Sequence, residues 1–238
     1  GDRYVPALPP VDAALESAWA TRINAWLTWL QGQPLGDYYL VPNVGSWITT
    51  RDPTDYSPAD GLMIEGFAIE DDASPYDLFD WRLQINRILG AVKRGQAIIA
   101  QSYAIDPQER MFALGCYLLI KGERSYLNID NGLEPEWWPE YDLPVGAALD
   151  SAAEIDDLLL EGNCIYGWRY ANCRVLVNPT NPWDSSGQTR TVDLGGTYYL
   201  AETSGGGEVP ETGIPAGSVS YRAVTQVTLG PYSAAVLF

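Results

Sequence analysis

The sequence predicts an α/β protein in which a parallel sheet is followed by a small antiparallel β-domain, and three observations carry that reading. Apolar runs without alternation, such as Leu62-Met63-Ile64, mark strands buried on both faces, as parallel sheets require. These runs alternate with amphipathic stretches through short connections, which is the βα rhythm of a parallel sheet. From Cys164 onward the helical period disappears, and short strands punctuated by glycines replace it.

Asp12 is the expected N-cap of a first helix, in which Leu15, Trp19, Ile23, Trp26, Leu27 and Leu30 recur at three- and four-residue steps. The helix is expected to end near Gly32 and to turn its tryptophans into the core. Tyr38-Tyr39-Leu40-Val41 has strand propensity, Pro42 stops it, and Asn43 stands at its end. A loop containing Trp47 leads to the central strand, Gly61-Leu62-Met63-Ile64-Glu65. Glu70-Asp71-Asp72 reads as a solvated loop or helix entry, with a second catalytic carboxylate or a cation site as the alternative. Asp77 to Val92 repeats apolar positions at Leu78, Trp81, Ile85, Ile88, Leu89 and Val92, and Lys93-Arg94-Gly95 supplies the basic residues and the glycine that close a helix. Ala97-Ile98-Ile99-Ala100 is a further buried strand, followed by Gln101-Ser102-Tyr103. Pro107 opens a third helix through Met111, Leu114, Tyr117, Leu118 and Ile120, and Ser125 to Asp130 forms the fourth strand.

Polar side chains fall at successive strand ends: Asn43, Glu65, Gln101 with Tyr103, and Asn128 with Asp130. In α/β barrels that rim carries the chemistry, because the loops leaving it surround a cleft while the strands hold side chains rigidly. The alternative for Glu65 is a pairing with an arginine inside the sheet's packing. After the fourth strand, Leu133 to Glu161 forms a bridge with a short acidic helix expected around Ala152 to Leu160. Strands then follow at Ile165 to Tyr170, Arg174 to Asn178, Thr191 to Leu194, Thr197 to Ala201, Val219 to Leu229 and Ala234 to Phe238. Gly205 to Gly207 reads as a tight turn, since no helix follows to make it a phosphate cradle.

Composition narrows the function. With 238 residues the chain can bury one sizeable core, and 46% hydrophobic with 12% aromatic residues marks it as folded. A formal charge of -17 argues against nucleic acid or an anionic membrane as partner. Apolar segments fall short of the ~20 residues that span a bilayer. The start, Gly1-Asp2-Arg3-Tyr4, is unlike a signal peptide, so the expected location is extracellular with any signal removed. The chain contains no histidine, which excludes Ser-His-Asp and Cys-His mechanisms and histidine-based zinc sites. Carboxylates must then carry any acid/base work. Cys116, Cys164 and Cys173 lack C-x-x-C spacing, so no metal and no cofactor is expected. A Cys164 to Cys173 bridge is sterically open but disfavoured by the turn at Ala171-Asn172.

Gly61-Leu62-Met63-Ile64-Glu65-Gly66-Phe67, Ala100-Gln101-Ser102-Tyr103, Tyr126-Leu127-Asn128-Ile129, Glu136-Trp137-Trp138-Pro139-Glu140-Tyr141 and Arg174-Val175-Leu176-Val177-Asn178-Pro179 together resemble the C-terminal part of hypothetical glycosyl hydrolases, TIM-barrel glycosidases with an appended β-domain. The resemblance implies the C-terminal half of a (β/α)8 TIM-type barrel at 1–145, a bridging helix at 146–163 and an antiparallel β-domain at 164–238. The sequence departs from the family at Asn172-Cys173, where Asn-Gly is usual, and in supplying only four barrel strands. The resemblance further implies that Gly1-Asp2-Arg3 lies in the loop leaving a fourth barrel strand whose own acid is outside this sequence.

The activity so implied is hydrolysis of a neutral polysaccharide or oligosaccharide by two carboxyl groups. Glu65 is the candidate general acid/base, its protonated form expected to be favoured in an aromatic site, and Asp130 is its candidate partner. Asn43, Gln101, Tyr103 and Asn128 would bind sugar hydroxyls. Trp47, Trp137 and Trp138 would offer flat faces to sugar rings, with core packing the alternative for each. A non-catalytic carbohydrate-binding protein and a structural assembly subunit are the rival readings. An open half-barrel exposes sheet edges, so another chain or self-association is expected to complete it.

Overall fold

The computed structural model describes residues 12–34, 36–48, 53–70, 76–104, 106–129, 132, 134–160, 164–183, 187–213 and 216–238. These residues form a mixed α/β fold with a three-stranded parallel sheet, a five-stranded antiparallel sheet and a two-stranded ladder.

Helix α1 spans Ala13–Gln31, and the Asp12 carboxylate caps it by accepting from the Leu15 N–H at 2.8 Å. Only Ala20 and Leu27 on it are buried, so the expectation that its tryptophans enter the core is corrected. Trp19, Trp26 and Trp29 are 64%, 52% and 58% exposed, the first two beside the line of Ala20 and Leu27 and the third on the opposite face. Periodicity identified the helix, but it could not tell which part of a broad apolar stripe would be covered.

Residues 40–44 run parallel to strand β1 (Gly61–Glu65) without forming the regular strand expected from Tyr38 to Val41. The Pro42 carbonyl accepts from the Met63 N–H and Met63 O accepts from the Val44 N–H, both at 2.9 Å. Proline has no N–H to give back, so the ladder shrinks to an Asn43 to Met63 bridge. Asp60 fastens this ribbon from below, accepting from the Leu40 N–H and the Gln31 amide.

Helix α2 (Leu78–Lys93) follows an Asp77 N-cap, then come strand β2 (Ala97–Ser102), helix α3 (Pro107–Ile120) and strand β3 (Ser125–Ile129). Asp106 and Glu109 close a reciprocal capping box at the start of α3, with Pro107 in the first turn. Strands β1, β2 and β3 are neighbours in sequence order and all parallel. Leu62, Ile64, Ile98, Ala100 and Ile129 are buried in the core shared with α2 and α3, whereas Ile99 and Tyr126 on the opposite face are exposed. Met63, Ile99 and Tyr126 are register neighbours across that open face.

The chain next forms a short strand β4 (Glu136–Trp137) and a 3-10 turn at Pro139–Asp142. The acidic helix expected around Ala152 to Leu160 is a single 3-10 turn, Ile155–Leu158. The Asp157 carboxylate takes the N–H groups of Ala153 and Glu154, fixing one turn, and Leu159 then bridges to Tyr166. Strands β5 (Tyr166–Arg169), β6 (Arg174–Asn178), β7 (Arg190–Gly205), β8 (Gly207–Glu208), β9 (Gly217–Leu229) and β10 (Ser233–Leu237) complete the fold. The large sheet has the order β5-β6-β10-β7-β9, and β8 pairs with β4. The two strands expected between Thr191 and Ala201 are one, because the register slips between Asp193 and Tyr198 without breaking the β7 to β9 pairing. Gly195, at φ 69°, supplies the bend. Cys116, Cys164 and Cys173 are all free thiols.

One face of the large sheet (Val175, Val177, Val236) joins the core around α3, and the other (Leu176, Ala235, Leu237) packs on Val192, Leu194, Val227 and Leu229 of the long hairpin. Asn178 fastens the hairpin's base: its buried amide donates to Gln188 O, Leu229 O and Gly230 O and accepts from Thr180. Every residue of α3 from Arg110 to Ile120 is buried, because the helix has a sheet on either side. Each fully buried leucine or isoleucine there contributes about 1.5–3 kcal/mol.

The approach of α3 to the large sheet depends on Gly115, where a Cβ would stand 2.5 Å from Ala234 Cβ and 3.1 Å from Val177 Cγ2. Replacing Gly115 with alanine gains about 1 kcal/mol of helix propensity but forces a helix off a strand backbone, which costs about 1–3 kcal/mol. The clash is expected to win, so Gly115→Ala should lower the urea midpoint; an unchanged or higher midpoint would show that the two layers can part freely.

Candidate active site

The C-terminal edge of the parallel sheet gathers the polar side chains. Glu65 is the last residue of β1 and is in register with Gln101 on β2, which is in register with Asn128 on β3. Neighbouring strands are about 4.8 Å apart, so these three residues form a row across the open face of the sheet.

Two side chains hold the Glu65 carboxylate, one on each oxygen. The Asn43 amide donates to Oε2 at 2.6 Å, and the Tyr103 hydroxyl donates to Oε1 at 2.8 Å. Asn43 Oδ1 accepts from the Gly45 N–H at 2.9 Å, which turns the NH2 group toward Glu65. The Gln101 amide donates to the Tyr103 oxygen at 3.1 Å and thereby orients that hydroxyl. Hydrogen bonds from Asn43, and secondly from Tyr103, lower the Glu65 pKa below the ordinary glutamate range, against a weaker opposing effect of burial. This corrects the expectation of a protonation-favoured Glu65: donors aimed at the ionised form outweigh desolvation of a half-buried group.

Asn43 and Tyr103, expected to bind sugar hydroxyls, are thus partners of the carboxylate. Asn128 is exposed and Gln101 half-buried on the open face. Trp47 and Trp138 are corrected as sugar platforms, because both are buried and both rings are covered. Trp47, in a left-handed conformation at φ 55°, lies under the Arg87 guanidinium and edge-on to Tyr56. Trp138 has the Arg110 guanidinium 4.1 Å from its ring centre and donates its indole N–H to Ile129 O. Trp137 is half-buried in the ladder with Gly207. Asp130 lies outside the described residues, as do Asp2, Asp71 and Asp72.

Several residues that matter here escape a reading of strand ends. The Tyr141 hydroxyl accepts from the Ile129 N–H at 2.7 Å, so Trp138 and Tyr141 together fix both backbone groups of the last β3 residue. A buried Arg110 to Glu140 ion pair, with Thr203 donating to Glu140, secures that segment. The sequence offered little signal, because Arg110 stands beside Gln108 and Glu109 at the polar start of α3 and looks like an ordinary first-turn residue. Among the described residues no group of three or more Cys, Asp or Glu side chains is arranged to hold a metal ion.

Comparison with known families matches residues 10–163 to hypothetical glycosyl hydrolase family 15. No curated protein matches the chain.

Because the folded pKa of Glu65 is lowered, its contribution to stability is complete above the unfolded-state value and is lost as pH falls through the folded one. Removing a donor, as in Asn43→Ala or Tyr103→Phe, is expected to raise the Glu65 midpoint and move that loss to higher pH. Carboxyl-carbon NMR titration reads the midpoint; two variants titrating like the wild type would mean that neither bond governs the charge.

Proposed function

The chain belongs to hypothetical glycosyl hydrolase family 15, and we propose that it hydrolyses a neutral polysaccharide or oligosaccharide using Glu65 as an ionised carboxylate on the sheet rim. The observation that carries this reading is the pair of donors, Asn43 and Tyr103, aimed at the two oxygens of Glu65. They favour its ionised form, which suits a nucleophile or a stabiliser of an oxocarbenium-like transition state better than a proton donor. As bond formation to the sugar withdraws charge from one oxygen, the donor on the other still holds the carboxylate in place.

In this proposal the acid is Asp130, which directly follows β3, a strand whose final residue is held by Trp138 and Tyr141. Asn128 and Gln101 would bind sugar hydroxyls beside Glu65, and Trp137 would flank the cleft. The proposal includes a half-barrel completed by further βα units, whether these are on the same polypeptide, on another chain or on a second copy. Its support is the open face of the parallel sheet, since parallel sheets are covered on both faces, whereas Ile99 and Tyr126 are exposed here. An extracellular location belongs to the same proposal, as that is where polysaccharide is met.

Glu65→Gln is expected to cut reducing-sugar release from neutral glucans, xylans or mannans by at least about a hundredfold with little change in Tm. Equal turnover by the variant would remove Glu65 from the mechanism. Retained glycan binding with no release by the wild type would favour the non-catalytic binding reading. For the half-barrel, light scattering is expected to report a mass above 26.2 kDa, and a stable, well-folded monomer would overturn it.

A further inference from the structure

Gln84 is fully buried on α2, inside the apolar stripe of Trp81, Ile85 and Ile88. A primary amide at such a position must find partners for both its ends. It finds them in two different loops. Its oxygen accepts from the Ala68 N–H at 2.8 Å, and its NH2 group donates to Gly66 O at 3.1 Å and to Ser46 O at 2.6 Å. Gly66 directly follows Glu65, and Ser46 lies three residues beyond Asn43, so one side chain ties the loop leaving the carboxylate to the loop leaving its first donor.

Both loops need holding. Gly66, Ala68 and Trp47 all have positive φ, at 79°, 61° and 55°, and two of these are residues for which that region is unfavourable. The Tyr76 hydroxyl also donates to Gly66 O, at 2.6 Å, and Arg87, one turn after Gln84 on α2, donates to Trp47 O while covering that ring. The Phe67 N–H reaches back to Gln101 O on β2 at 2.7 Å. Helix α2 therefore sets the separation between the Asn43 and Glu65 loops through Gln84, with Tyr76 and Arg87 bracing either side.

We infer that Gln84 is a positioning residue that fixes Asn43 against the Glu65 carboxylate. This rests on the reading of Glu65 as the working carboxylate, but its test does not need turnover. Gln84→Met keeps the length of the side chain and loses all three bonds. Gln84→Glu in its neutral form keeps the acceptor and one donor.

In carboxyl-carbon NMR titrations, Glu65 is expected to titrate at higher pH in Gln84→Met than in the wild type, with Gln84→Glu between them. Where sugar release is measurable, the acidic limb of kcat/KM should move up in the same order, and kcat should fall about 10- to 100-fold with a smaller change in KM. A Glu65 midpoint identical to the wild type in the folded variants, whatever their Tm, would overturn the inference and leave Gln84 a packing residue. Should Gln84→Met not fold, the Gln84→Glu midpoint decides by the same criterion. A wild type that releases no sugar would sink the hydrolase reading alone, since the titrations would still judge the clamp.

Discussion

Burying a helix on every side constrains the whole molecule, and α3 is such a helix. From Arg110 to Ile120, with sheet on two sides, a charge has no route to water, and Arg110 carries one. An unpaired buried guanidinium is costly, so the fold supplies Glu140 as counter-ion and the Trp138 ring as a lid. Bringing Glu140 inward carries Trp137 to Tyr141 with it, which delivers an indole N–H and a phenol to the backbone of Ile129. The end of β3 at the rim is therefore held by a chain of requirements that starts one layer deeper.

Much of this could be read from the order of residues. Runs such as Leu62-Met63-Ile64 and Ala97-Ile98-Ile99-Ala100 identified the parallel strands by their apolar continuity, but the expectation that both faces would be buried is corrected, since Ile99 and Tyr126 are exposed on the open face. The same phase placed Asn43, Glu65 and Gln101 at one edge. What stayed hidden has identifiable causes. A helical stripe shows which residues are apolar without showing what covers them, so the exposure of Trp19 and Trp26 could not be read from it. The protonation preference of Glu65 depends on where two side chains, 22 and 38 residues away in sequence, point their donors. Gln84 was visible only as a polar interruption of an apolar stripe, a weak signal until its three backbone partners are known.

The electrostatics of the rim follow from how the few cations are used. The chain has 14 basic residues against 31 acidic ones, and two of the arginines near the rim, Arg87 and Arg110, face tryptophan rings. Glu65 is held by neutral donors. Neutral partners stabilise a carboxylate without cancelling its charge, so its field remains available to a developing cation.

The short ladder between β4 and β8 has an evolutionary corollary. Gly206 and Gly217 sit where any Cβ would strike Trp138 or Pro139, and Thr203 bonds to Glu140. The C-terminal sheet thus grips the segment that steadies β3. Recombination that exchanged this sheet for one from another lineage would need to import residues 134–145 along with it, or the graft would arrive without its fastening.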